Sequence, residues 1–138
     1  MIKKILFFLG IVSLLYACVD NDIPNPNGMW QLKTIEDEAG HKHSVDTIFY
    51  SFQRQLIFSY TLLTKNELGK EIAEVIYGYA DYPDSKTMHI KVDKSYDRPG
   101  RTELLLWKDS EVIYEIIKLN SKEMILGYGE EKYFFIKF

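Results

Sequence analysis

Between Met29 and Phe138 the apolar residues recur at every second position in short runs, not at helical spacing, and nothing else in the chain constrains its fold so strongly. A period of two places successive side chains on opposite faces of an extended strand, so each run buries one face and wets the other. Eight such runs are expected as strands: Met29 to Glu36, Val45 to Phe52, Leu56 to Leu63, Glu71 to Tyr82, Thr87 to Asp93, Val112 to Leu119, Met124 to Tyr128 and Lys132 to Phe138. Met88, Ile90 and Val92 alternate with His89, Lys91 and Asp93, the pattern of a half-buried strand. In the Glu71 to Tyr82 run two apolar sets compete, and Gly78 is the position where a bulge is expected.

Directly paired residues of a hairpin point to the same side of the sheet, which allows the register to be read from the pattern. A three-residue loop Gln53-Arg54-Gln55 would pair Phe52 with Leu56 and set Ile48, Tyr50 and Phe52 beside Leu56, Phe58, Tyr60 and Leu62. A loop Gly129-Glu130-Glu131 would likewise pair Leu126 with Phe134 and Met124 with Ile136, and Asn120 to Glu123 would join Leu119 to Met124. Lys94 to Glu111 is too long for a plain connection, so Leu104 to Trp107 should form an element of its own, either a short helix near 102–108 capped by Thr102 or a further strand. Consecutive hairpins without helical crossovers imply an all-β, eight-stranded, up-and-down antiparallel barrel, in which closure removes exposed sheet edges.

The domain begins after a segment of different character. Lys3 and Lys4 precede an uncharged, almost wholly apolar run of 12 residues from Ile5 to Tyr16. A membrane-spanning helix needs about 20 such residues, whereas the core of an export signal needs roughly 7 to 15. Residues 1–17 are therefore expected to be a signal peptide, 18–26 a polar, proline-rich tether, and 27–138 the folded domain. With the signal removed, 15 basic residues face 20 acidic ones, a net charge of −5 that argues against nucleic acid or an anionic membrane surface as partner. The single cysteine, Cys18, excludes an intramolecular disulfide.

Leu15-Tyr16-Ala17-Cys18 resembles the lipobox of bacterial lipoproteins. That resemblance implies that Cys18 is lipidated, becomes the first residue of the mature protein and anchors it to a membrane; several acyl chains hold far more firmly than one. The acidic residues Asp20 and Asp22 after Cys18 are similar to a surface-export tag of some Gram-negative lipoproteins, pointing to the cell envelope and its outer membrane. Gly28-Met29-Trp30 resembles the Gly-x-Trp opening of lipocalin-like domains, in which the Trp plugs the closed end of the barrel. The last three runs, from Tyr114 through Met124 to Phe138, are similar to the closing strands of uncharacterised lipocalin-like lipoproteins of Gram-negative bacteria.

Residues that could carry chemistry are few. His41 and His43 stand at strand spacing, but zinc takes at least three protein ligands, so no metal and no other cofactor is expected. Local signatures of hydrolases, metalloproteases and nucleotide enzymes are missing, and Asp109 with Glu111, and Glu130 with Glu131, fall where turns are expected; a non-enzymatic protein follows. Arg98 and Arg101 could grip an anion, or be neutralised by Asp97 and Glu103. Tyr50, Phe58, Tyr60 and Phe134 would line one interior volume, which holds a small apolar ligand if hollow. If the volume is filled, the loops Thr64 to Lys70 and Lys94 to Glu111 would dock another envelope protein instead.

Overall fold

A computed structural model describes residues 23–63, 67–70, 72–95 and 109–138, the side chains at 58, 60, 62, 63 and 72–74 excepted. Cys18 with the signal segment, the expected element at 102–108, and Arg98 and Arg101 lie outside the described residues. The strands are β1 (Gly28–Glu36), β2 (Lys42–Ser44), β3 (Ile48–Gln53), β4 (Leu56–Leu63), β5 (Ile72–Asp84), β6 (Thr87–Val92), β7 (Glu111–Leu119), β8 (Glu123–Tyr128) and β9 (Glu131–Lys137). Among the described residues there is no helix.

Each strand from β3 to β9 pairs antiparallel with the next, and β1 pairs with both β3 and β9, so eight strands close into a barrel. All eight expected runs are strands of this barrel. The ninth, β2, was not expected; it folds back on β1 through Thr34↔Ser44, Ile35↔His43 and Glu36↔Lys42 as a short strap outside the ring. Its turn is shaped by Asp37, whose Oδ1 accepts the backbone N–H groups of Ala39 and His41 at 3.0 and 2.9 Å.

Two hairpin registers differ from expectation by one residue. Gln53 pairs with Leu56 and Phe52 with Ile57, leaving a two-residue turn, Arg54-Gln55, with Arg54 at φ 57°. Tyr128 pairs with Glu131, Leu126 with Tyr133 and Met124 with Phe135, around a two-residue turn that begins at Gly129, φ 59°. Two-residue turns entered at positive φ match the right-handed strand twist better than the three-residue loops suggested by side-chain size. Leu119 does pair with Met124. Gly78 is in regular register between Ile57 and Val92, and the β5–β6 irregularity lies between Asp81 and Asp84, at Pro83. Proline lacks the N–H that a ladder requires, so the bulge falls there. Gly78 serves a close approach instead: a Cβ on it would stand 2.6 Å from the Lys91 carbonyl oxygen.

The inward rows form a single core. Trp30, Leu32, Tyr50, Phe52, Ile57, Ile76, Ala80, Met88, Ile90, Tyr114, Met124, Leu126, Tyr133 and Phe135 all keep 3% or less of their surface accessible. The barrel's two ends differ in covering. At one, the segment 23–27 passes beneath the β3–β4, β5–β6 and β7–β8 turns; at the other stand β2, the β8–β9 turn, the C-terminal ends of β4 and β6 and the N-terminal ends of β5 and β7.

Candidate functional site

The closed end is built around Trp30, the third residue of the pattern that begins at Gly28. Its indole is 1% exposed and Nε1–H donates to the Pro26 carbonyl at 2.6 Å, so the one polar atom of the ring is satisfied by the chain that precedes the barrel. The Lys137 ammonium lies 4.5 Å from the ring centroid and also donates to the Asn27 carbonyl. Asn27 Oδ1 accepts the Arg54 N–H at 2.9 Å, tying the entering segment to the β3–β4 turn. Beside this floor lies an open depression of about 400 Å³, edged by Pro24, Trp30, Leu119, Asn120 and Lys137.

Toward the other end the interior becomes hydroxylic. Tyr114 sits edge-on to Tyr128 and Tyr133, with ring centroids 6.1 and 5.8 Å apart, and Tyr50 packs at 4.9 Å on Phe135. The Tyr133 hydroxyl donates to Glu131 Oε2 at 2.5 Å. Burial, then the neighbouring Tyr50 and Tyr133, pushes the Tyr114 phenol well above its ordinary value. For Tyr133 burial comes first and the bond to Glu131 second, again upward. Ser59 Oγ, opposite Tyr50, is buried without a hydrogen-bond partner.

The four residues expected around one volume are not brought together. Tyr50 points inward. Phe134 stands in the other row, opposite Ile125 and Thr34 and between the buried Tyr133 and Phe135, with Lys42 Nζ 5.5 Å from its ring. The side chains of Phe58 and Tyr60 lie outside what is described, but the backbone register puts position 58 opposite Ser51 and Tyr77 and position 60 opposite Phe49 and Val75. The inward row of β4 is Ile57, Ser59 and Thr61, at 0, 0 and 5% exposure. The interior residues that size alone missed are thus Ser59, Thr61, Tyr114 and Tyr133; Tyr114 was legible in the alternation Val112-Tyr114-Ile116.

Nor does the interior offer ligand-sized space where it is described. A void large enough for a ligand would leave accessible area on its walls, whereas every barrel strand contributes described inward side chains with 3% or less of their surface accessible, among them Trp30, Phe52, Ile57, Ile76, Met88, Tyr114, Leu126 and Phe135. The outer wall carries apolar surface instead: Leu56, Tyr77 and Tyr79 on adjacent β4 and β5 are 42, 37 and 52% exposed.

Other polar groups serve the surface. His41 and His43 both face Asp37 Oδ2, at 3.5 and 3.2 Å, which bonding to His41 and His43 holds below the ordinary carboxylate range. His89 lies between Asp81 and Glu111, at 3.2 and 2.5 Å. Among the described residues no group of three or more His, Cys, Asp or Glu could hold a metal ion. Asp109 accepts the Ser110 N–H at 2.7 Å, Glu111 engages His89 and Lys91, and Glu131 engages Tyr133.

A closed eight-stranded antiparallel barrel with a buried Trp at its sealed end agrees with the match between residues 13–138 and the family profile described as "Lipocalin-like domain". The chain belongs to the lipocalin-like domain family. Among solved structures, an uncharacterized protein from Bacteroides eggerthii DSM 20697 is similar at 26% identity, covering 83% of this chain and 100% of its own, with a TM-score of 0.69. A lipocalin-like protein from Bacteroides uniformis ATCC 8492 shares 21% identity over 82% of this chain and 98% of its own, with a TM-score of 0.71, and supports the fold. No curated protein matches the chain.

Proposed function

We propose that this lipocalin-like protein is a non-enzymatic binding module of the cell envelope, lipidated at Cys18 and held on the outer membrane, which docks another envelope protein by its outer wall and loop end. The observation that carries the docking reading is the packed interior: each of the eight barrel strands contributes described inward side chains that are almost wholly inaccessible, which disfavours an internal apolar ligand. The exposed Leu56, Tyr77 and Tyr79 supply the kind of surface an aromatic-rich protein interface uses. Support for the anchor is the lipobox-like Leu15 to Cys18 after an export-type apolar run, together with a family match that starts at residue 13 and so takes in this segment.

One observation favours a second reading. The unpartnered Ser59 hydroxyl beside Tyr50 is a buried polar group for which a small amphipathic ligand, entering from the loop end, would provide a partner. Titration of the purified protein with a polarity-sensitive apolar dye and with a fatty acid distinguishes the two. The packed barrel should give no saturable signal. One-to-one binding, displaced by fatty acid and weakened by Ser59→Val, would overturn the filled-barrel reading and restore the ligand.

A further inference from the structure

We infer that the Trp30 end of the barrel seats on the membrane that carries the anchor, through contacts between its basic turns and anionic lipid headgroups, with the loop end pointing away. This rests on the lipid anchor at Cys18 proposed above. Two observations carry it, one of chain length and one of charge.

The first is the shortness of the free tether. Pro26 is already fixed by the Trp30 indole, and Asn27 by Arg54 and Lys137, so only the chain between Cys18 and Pro26 is available to span from lipid to barrel. Those eight steps extend to roughly 26–29 Å at most. The nine-residue β1, tilted as barrel strands are, makes a wall roughly 23 Å tall. Turning the loop end to the membrane would require the tether to run the full height of that wall and consume nearly all its reach. Seating the Trp30 end requires almost none of it.

The second observation is a segregation that net charge conceals. An overall excess of acid argued against an anionic surface, but the fold sorts the charges. The exposed cations Arg54, Lys86, Lys118, Lys122 and Lys137 lie on the turns and strand ends beside Trp30, where the described acids are Asp84, Glu123 and, opposite Thr87, Glu115. Glu123 engages Lys118 at 2.5 Å, and Asp84 is occupied by the Lys86 N–H and the Thr87 hydroxyl. The loop end carries Glu36, Asp37, Glu38, Glu67, Asp93, Asp109, Glu111, Glu130 and Glu131 against Lys42, Lys70, Lys91, Lys94 and Lys132, of which Lys42 and Lys132 engage Glu36, so among the described residues acid is in excess there and an anionic surface is repelled. Ile23 and Phe138, 76 and 75% exposed beside the basic turns, add apolar contact at headgroup depth. Asp20 and Asp22 in the tether are the competing partners for those cations.

The test uses the lipidated protein in vesicles of phosphatidylcholine, with and without phosphatidylglycerol. Acylation occupies the thiol of Cys18, so Ser121→Cys at the Trp30 end or Glu130→Cys at the loop end provides one reactive thiol for a fluorophore, read against a quencher on the lipid headgroups. Quenching should be strong at position 121 and weak at 130, and phosphatidylglycerol should widen the difference. Lys86→Glu with Lys122→Glu should narrow it. Equal quenching at both ends, or no response to lipid charge, overturns the inference; the second result would mean that Asp20 and Asp22 neutralise the cations.

Failure of the anchor reads out separately. The mass of the protein purified from a Gram-negative host reports acylation at Cys18, and residues 19–138, which contain the whole described core, report the basic end alone by partitioning into anionic vesicles. That partition should fall about fivefold for each of Lys86 and Lys122 replaced by Gln, and fall with added salt. Unacylated Cys18 with salt-sensitive partition sinks the anchor and leaves the basic surface standing. Acylated protein without end preference sinks the orientation alone.

Discussion

The two ends of the barrel's interior solve the problem of filling a closed sheet by different chemistry. Trp30 packs beside Tyr50, its direct partner on β3, and the one polar atom of the indole is answered from outside the barrel by Pro26. From Tyr50 toward the loops, three large phenols, Tyr50, Tyr114 and Tyr133, share the space with Ser59 and Thr61. Large rings pointing at one axis need small partners on the facing strand, and the β4 row of Ile57, Ser59 and Thr61 provides them where Leu or Phe would collide. The floor is thus held by transfer of apolar area, whereas the tyrosine cluster also depends on hydroxyls that must find one another or go unpaired. The contrast tells where substitution, and where pH, should act.

The floor should be the more sensitive to truncation. Trp30→Ala removes the largest buried side chain among the described residues, leaves a void that eight converging strands cannot collapse and frees the Pro26 segment, so a loss of about 3–5 kcal/mol is expected in urea unfolding of the folded protein. A loss below about 0.5 kcal/mol would mean that the indole does not close the barrel.

An intermediate and more diagnostic effect separates the two rows of β4. Ile57 is 0% exposed and its neighbour Leu56 is 42% exposed, so Ile57→Ala should cost about 2–4 kcal/mol and Leu56→Ala less than about 1 kcal/mol. The reverse order would restore the register in which Phe52 faces Leu56. The comparison also shows where the sequence was legible. The eight barrel strands, the β7–β8 connection and the inward rows of β6 and β7 follow from alternation, because on Met88-Ile90-Val92 and Val112-Tyr114-Ile116 the apolar set occupies one parity only, whereas the short β2 has no such pattern. On β4 and β9 both parities are apolar or aromatic; on β4 the inward row is the smaller set Ile57-Ser59-Thr61, and on β9 it is Tyr133-Phe135 and not Phe134-Ile136. Size was a poor guide on β4, since large rings converging from the facing strands leave room only for small side chains there. The deciding information was in the turns: Gly129 signals a two-residue turn, but Arg54 at positive φ carries no such mark and is stabilised from afar by Asn27.

The smallest effect at neutral pH should come from the tyrosine cluster, and it should change character in alkali. Tyr114→Phe keeps the ring and deletes a hydroxyl bonded to Tyr50, which costs about 1 kcal/mol near neutrality. Burial raises the Tyr114 phenol above its unfolded value of about 10, so the folded state favours the neutral form. A group raised in this way contributes stability that is fully present below pH about 10 and is lost as pH climbs from there toward the folded value. Tyr82 and Tyr133 are raised as well, so the wild type should weaken steeply above pH about 10, with each such phenol adding about 1.4 kcal/mol per pH unit to the slope. Tyr114→Phe removes one of them. Its stability should start lower than wild type at neutral pH, fall less steeply above pH about 10, and cross or converge with the wild type in urea titrations read by fluorescence. Parallel curves through the alkaline range would mean that Tyr114 already meets solvent in the folded protein, and the hydroxylic cluster would then be the wall of an accessible space instead of part of a sealed core.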